Sequence, residues 1–340
     1  MASWQSKLVN LFLRATMKRR FDPLVPPANV RARVDRMTSR INKPRDWIKV
    51  TPASANGVLA EWVDVTHSGR EDGVPGTNEL PGKVLLYLHG GGYIVCSPLT
   101  HRYMVARLCR AAGLRALVPD YRLAPEHPFP AAVEDAEAAY RWLLAAGYAA
   151  KDIVIAGDSA GGGLTLSLLL TLREQGMEMP AAAGLLSPWT DLALTGWSML
   201  TKAKADPMLR MDSALLAVKH YLQDTPVTHP IASPLYATLA GLPPLFVQVG
   251  DREILLDDSR RLVEKARAQG VDAQLEIWPG MAHVFQAFAQ LPESGEAITA
   301  MGKFLNARAG ATAAASPAIA AAHDDSSGAI LAAPATSAAE

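Results

Sequence analysis

Hydrophobic positions along this chain follow two alternating periods. Short apolar runs at Leu85 to Leu88, Ala116 to Val118 and Ile153 to Ala156 predict buried strands, and Ala183 to Leu186, Leu245 to Val249 and Gln274 to Trp278 continue the series, each segment stopped by Gly, Pro or a polar residue. Between them, Tyr103 to Ala112, Ala131 to Leu144, Leu164 to Arg173, Asp258 to Ala268 and Ala287 to Asn306 carry helical spacing. This alternation predicts parallel βαβ units, with at least six parallel strands and an earlier pair around Leu59 to Thr66. Ligands of such sheets bind beyond the carboxyl ends of the strands, so the residues that follow each apolar run become site candidates. His89, Ser159, Glu253 and His283 stand there.

Three stretches break the rhythm. Trp4, Leu8, Leu11, Phe12 and Ala15 recur at helical spacing before Lys18, Arg19 and Arg20, a pattern of a helix that packs on its own protein or lies on a membrane surface; the packing reading is preferred. The segment from Asp191 to Leu242 separates two strands with helix-like pieces rich in Met, Leu and Trp, including Trp197, Met199, Met208 and Met211. A connection of that length reads as a lid or an extra structural helix pair rather than a loop. From Ala309 to Glu340 the chain is alanine with Ser, Thr and Pro, expected to stay mobile.

Composition narrows the function. The 340 residues hold 33 basic and 33 acidic side chains, so no net field favours nucleic acid, an anionic surface or a highly charged substrate. A 49% hydrophobic content with 25 glycines suits a buried sheet with tight turns. Only Cys96 and Cys109 are present, too few for a disulfide framework, which favours a reducing cytoplasm. The N-terminus lacks the unbroken apolar core of a signal peptide, and no run of ~18 apolar residues exists to span a bilayer.

The chemistry concentrates at Gly157, Asp158, Ser159, Ala160 and Gly161, a G-x-S-x-G sequence between a strand and a helical pattern. That context is what a nucleophile elbow requires, since the glycines let the backbone turn sharply enough to expose the serine hydroxyl. A phosphate-binding turn is the bland alternative, but no Walker lysine follows. Serine needs a base to take its proton and an acid to orient that base, in the chain order Ser, acid, His. Of the later histidines, His220 and His229 fall in the insertion and His323 in the tail, whereas His283 follows a strand. Near the end of the strand Leu245 to Val249, Asp257 and Asp258 look like helix-capping residues, which leaves Asp251 and Glu253 as acids. His89 with Gly90, Gly91 and Gly92 follows the strand Leu85 to Leu88, where glycine amides can approach an oxyanion, and the amide of Ala160 is a further donor.

At these residues the chain resembles the hormone-sensitive-lipase family of bacterial esterases (family IV). The carriers are HGGGY at 89–93, DYRLAPEHPFPA at 120–131, GDSAGG at 157–162, SPW at 187–189 and the Ala282-His283-Val284 segment. The resemblance implies an α/β-hydrolase fold, a mainly parallel eight-stranded sheet with helices on both faces and a helical cap. Its domains would be N-terminal cap helices at 1–45, a core at 46–190 and 243–308, a cap or lid insertion at 191–242 and a tail at 309–340. It implies Ser159, Glu253 and His283 as the triad, with glutamate where the family usually has aspartate and Asp251 as the rival. Gly91, Gly92 and Ala160 become the oxyanion donors, with His89 and Asp158 in support, while Asp120, Arg122 and Glu126 fall in a structural loop. The expected activity is hydrolysis of short-chain carboxylic esters through an acyl-enzyme, without metal or organic cofactor. Its partner is a small-molecule ester, and a homodimer through the final strand and helix is compatible with the pattern. A small-molecule receptor on the same fold would lack a triad member, and an amide hydrolase would differ only in its pocket.

Overall fold

The computed structural model describes residues 2–18, 25–41, 45–66 and 82–310. Arg19, Arg20 and the tail beyond Gly310 lie outside them. In chain order the elements are α1 (Trp4–Leu13), α2 (Pro27–Ile41), β1 (Ile48–Ala55), β2 (Val58–Val65), β3 (Val84–Leu88), α3 (Pro98–Ala112), β4 (Arg115–Pro119), α4 (Ala131–Ala145), β5 (Ile153–Asp158), α5 (Ala160–Glu174), β6 (Ala182–Leu186), α6 (Ser198–Thr201), α7 (Met211–Leu222), β7 (Leu245–Gly250), α8 (Leu256–Ala268), β8 (Ala273–Trp278) and α9 (Pro292–Arg308).

The strands form one eight-stranded sheet in the order β1-β2-β4-β3-β5-β6-β7-β8. Strands β3 to β8 pair in parallel, and the β1–β2 hairpin joins antiparallel at the β4 side. The hairpin starts at Ile48, upstream of the expected pair, because Asn56 (φ 52°) and Gly57 (φ 89°) form its turn in the left-handed backbone that Asn-Gly favours. The helix expected from Ala287 begins instead at Pro292, which fills its first position, where a missing amide hydrogen costs nothing.

Every residue of β3, β5, β6 and β7 is buried, which is why these strands read as continuous apolar runs rather than alternating ones. On one face α4, α5 and α8 bury Tyr140, Leu143, Leu166, Leu169 and Leu262. On the other, α3 and α9 close over Leu85, Tyr87 and Val154 with Val105, Leu108, Met301 and Leu305. Helix α3 starts after Ser97, whose amide donates to Thr100 Oγ1 at 3.2 Å, and ends at Gly113 in the left-handed conformation. A third cluster seats α1, through Val9 and Leu13, on Met281, Ala282 and Phe285. With the central strands buried on both faces, only their ends can carry chemistry, and all the loops described next leave the same, carboxyl, edge.

Candidate active site

Ser159 sits at the tip of β5 with φ 53° and ψ −121°, a backbone that costs about 1–3 kcal/mol in a non-glycine residue. Surrounding bonds hold the strain in place: the Ser159 amide donates to Leu186 O at 2.8 Å, and Ser159 O accepts from Trp189 N at 2.9 Å and Gly163 N at 3.1 Å. The flanking glycines are required by contact. A Cβ on Gly157 would strike the backbone of Gly161, and one on Gly161 would strike the carbonyls of Leu88 and His89. Strand, elbow and the loop after β3 are thus packed backbone to backbone.

Two further loops converge on the serine. His283 Nε2 lies 2.8 Å from Ser159 Oγ, and His283 Nδ1 lies 2.7 Å from Glu253 Oε2. A carboxylate only accepts, so Nδ1 carries the proton and Nε2 is left to accept from the hydroxyl. Glu253 is fully buried and its other oxygen accepts from Ser187 Oγ (2.7 Å) and Gly250 N (2.6 Å). Burial acts to lower the His283 pKa, but the charge and hydrogen bond of Glu253, with Asp206 and Asp158 behind them, outweigh it and leave the imidazole above its ordinary value. The rival acid takes a different place: Asp251 Oδ1 accepts from Gly280 N at 2.7 Å and so anchors the loop that carries the histidine.

Asp257 and Asp258 do lie in the first turn of α8, yet the capping expected of them is not what they do. Asp257 accepts from Ser198 N, and Asp258 from the amides of Thr190 and Asp191, both 2.9 Å away. Their side chains fasten the start of the 191–242 insertion to α8 instead of satisfying the helix's own amides.

The glycine loop after β3 turns back through Gly91 (φ 119°) and Gly92 (φ 63°), conformations that leave little room for a side chain. Asp158, buried beneath it, accepts from Tyr87 Oη (2.7 Å) and Gly90 N (3.0 Å), and His101 Nε2 lies 3.3 Å away. Burial opposes ionisation of Asp158, but the His101 charge and these hydrogen bonds prevail and hold its carboxyl below the usual range. His89 Nδ1 bonds Gly90 O at 2.8 Å, its ring stacks on Tyr121, and burial pushes its pKa down to about 3, so it is neutral. Ala160 is the first residue of α5, so its amide has no acceptor within the helix. Sequence reasoning brought together Ser159, His283, Glu253, Gly91, Gly92 and Ala160. It missed the anchoring roles of Ser187, Tyr87, His101 and Asp206. Asp206 accepts from Ile254 N at 2.9 Å, next to Glu253.

Both segments expected above the core reach this loop. Tyr221 of α7 stacks on Tyr93 with ring centroids 3.8 Å apart, and Ala217 faces Gly92. From α2, Arg31 Nε donates to Ile94 O at 2.7 Å, and its two terminal guanidinium nitrogens pair with Glu126. Glu126 therefore ties the N-terminal helices to the core, while Arg122 pairs with Asp135 and Glu134.

A doubly wound sheet with a strained serine elbow, a strand-end histidine and a buried carboxylate in one hydrogen-bonded line defines an α/β hydrolase. Residues 85–287 match a family described as α/β hydrolase fold. Among curated relatives, an acetyl-hydrolase of Streptomyces hygroscopicus is 44% identical over 252 residues, covering 74% of this chain and 80% of its own. An esterase of Acinetobacter venetianus is 34% identical over 303 residues, 88% of this chain and 96% of its own. The crystal structure of an esterase from the bacterial hormone-sensitive lipase family superposes with a TM-score of 0.82 at 45% identity, over 91% of this chain and all of that one. The chain belongs to the α/β-hydrolase fold family and, within it, to the hormone-sensitive lipase family of esterases. It is a carboxylic ester hydrolase. None of the described helices is long and apolar enough to cross a membrane.

Proposed function

We propose that the esterase reaction runs through Ser159, His283 and Glu253, with Gly91, Gly92 and Ala160 donating to the oxyanion. The observation that carries this is the single line of hydrogen bonds from Ser159 Oγ through the imidazole to Glu253. Ser159 Oγ attacks the ester carbonyl carbon and its proton passes to His283 Nε2, while the carbonyl oxygen becomes an oxyanion facing the loop amides. Collapse of the tetrahedral species expels the alcohol, which takes the proton back from Nε2, and leaves an acyl-serine. Water then repeats both steps, its proton passing through His283, and the carboxylic acid departs with Ser159 restored. Glu253 stays ionised throughout and stabilises the imidazolium.

The N-terminal helices at 1–45 and the insertion at 191–242 serve as the cap over the core at 46–190 and 243–308. Tyr221 on Tyr93 and Arg31 on Glu126 support that assignment, since they brace the glycine loop from above and from its flank. Such a roof favours short acyl chains over triglyceride, in keeping with the acetyl-hydrolase among the relatives. Among the described residues strand β8 ends the sheet with an unpaired edge, the surface through which two copies would associate as a cytoplasmic homodimer. Reaction with a serine-directed phosphonate should add its mass at Ser159 alone and abolish turnover. Full activity with no added mass at Ser159 would overturn the assignment. A series of p-nitrophenyl esters from acetyl upward, with Ser159→Ala as blank, should show kcat/KM falling as the acyl chain lengthens, and sedimentation tests the dimer.

A further inference from the structure

Helix α1 carries two apolar faces, and only one of them is used. Ser6, Val9, Asn10 and Leu13 are buried against the loop that bears His283, with Asn10 donating to Gly280 O at 3.0 Å. On the opposite side Trp4, Leu8, Leu11 and Phe12 are 67%, 56%, 65% and 62% exposed. Four large apolar side chains on one helix face are a contiguous patch, unlike the single exposed apolar residues that any surface carries. The helix continues through a π-turn at Arg14–Lys18, where Arg14 and Lys18 donate to the carbonyls of Ala203, Lys204, Ala205 and Asp206. Those carbonyls follow directly on α6, which with the residue before it adds Leu200 (64% exposed) and Trp197 (73% exposed). The α1 face and the α6 turn are therefore tied into one rim.

The charges that these two segments themselves contribute are of one sign. Residues 2–18 contain Lys7, Arg14 and Lys18, residues 192–205 contain Lys202 and Lys204, and neither segment contains Asp or Glu. Asp206, just beyond, is fully buried, and the carboxylate that α9 brings to the start of α1, Glu293, is engaged by Ser3. The chain as a whole is neutral, so the basic excess of these segments is a local property. Exposed Trp, Phe and Leu in segments whose own charges are all cationic match the chemistry of an anionic lipid surface. The apolar side chains enter the acyl boundary and the lysines meet phosphate head groups. We propose that α1 and the α6 turn dock this enzyme on anionic lipid membranes, lying in the interface rather than spanning it. Because α1 packs on the histidine loop, docking would hold the catalytic domain against the lipid surface. The proposal goes beyond the catalytic assignment and stands without it.

Full-length protein is sedimented with vesicles of phosphatidylcholine alone and of phosphatidylcholine doped with phosphatidylglycerol. Binding is expected to the anionic vesicles, to weaken with added salt, and to shift tryptophan emission to the blue. The double variant Leu8→Ser/Phe12→Ser should bind about a hundred-fold less tightly, from the apolar burial it forgoes. Lys7→Gln and Lys204→Gln should each lose about five-fold. All three should keep the wild-type kcat/KM on a soluble p-nitrophenyl ester, which shows that they are folded. Equal partition onto both vesicle types, or no binding to either, would overturn the proposal. So would concentration-dependent self-association that Leu8→Ser/Phe12→Ser abolishes, because the face would then be covered by a second copy of the chain.

Discussion

Replacing Glu253 by glutamine should stop turnover while leaving the fold intact, and the bonds around the carboxylate dictate why. Oε1 accepts from the Gly250 amide at 2.6 Å and from Ser187 Oγ at 2.7 Å. A glutamine must place its carbonyl oxygen there, because an NH2 group would face the fixed Gly250 donor. Its NH2 is then aimed at His283 Nδ1, which in the native site lies 2.7 Å from Oε2. The amide donates to Nδ1 instead of accepting from it, so the imidazole is held with its proton on Nε2. That tautomer cannot take the proton of Ser159, and the charge that stabilises the imidazolium is gone as well. Holding the base in the wrong tautomer lowers kcat about 10⁴-fold, or about 5–6 kcal/mol of transition-state stabilisation.

The control is Asp251→Asn, which weakens one bond to Gly280 N and should change kcat/KM by less than about ten-fold. Both variants are assayed with p-nitrophenyl acetate after phosphonate titration of active sites, and their thermal melts are compared with wild type. If Glu253→Gln kept turnover within about ten-fold of wild type while Asp251→Asn lost four decades, the reasoning would fail. The acid of the site would then be Asp251.

Other consequences can be measured directly. Burial pulls the His283 pKa down, but the Glu253 charge and hydrogen bond leave it raised, and only the neutral imidazole can accept a proton. The kcat/KM profile should therefore fall on the acid side at a pH above the ~6.5 of free histidine, and any residual activity of Glu253→Gln should fall off at lower pH. Asp158→Ala leaves Tyr87 Oη and Gly90 N buried without their acceptor, at about 1–3 kcal/mol each. Its melting temperature should drop, and kcat should fall more than KM rises as the glycine loop loosens. Gly161→Ala drives a Cβ into the carbonyls of Leu88 and His89, which are backbone and cannot step aside; soluble yield and activity should both collapse, whereas Gly295→Ala, with open space around it, should be silent.

What was legible in the sequence was whatever is written locally. Continuous apolar runs located β3, β5, β6 and β7 because those strands are buried on both faces, and the elbow and the glycine loop announced themselves by glycines that the backbone contacts require. The first hairpin was half missed because β1 is half exposed and carries no continuous apolar run, although Asn56-Gly57 was a sufficient turn signal. Partners chosen across the sheet were not legible. Ser187 meets Glu253 across 66 residues, and Asp258 meets Thr190 across 68, because β6 and β7 lie side by side. Nothing in the local pattern around Asp258 distinguishes a carboxylate that caps its own helix from one that reaches across to a neighbouring loop. The same limit explains α1. Its periodicity offered packing or membrane contact as alternatives, yet a helix with Val9 and Leu13 on one side and Leu8 and Phe12 on the other can do both. Packing on Met281 and Phe285 uses the first face and leaves the second as exposed as before. The two readings are therefore not exclusive, since each uses its own face of the helix, and vesicle binding by the Leu8→Ser/Phe12→Ser variant is the measurement that tests the second.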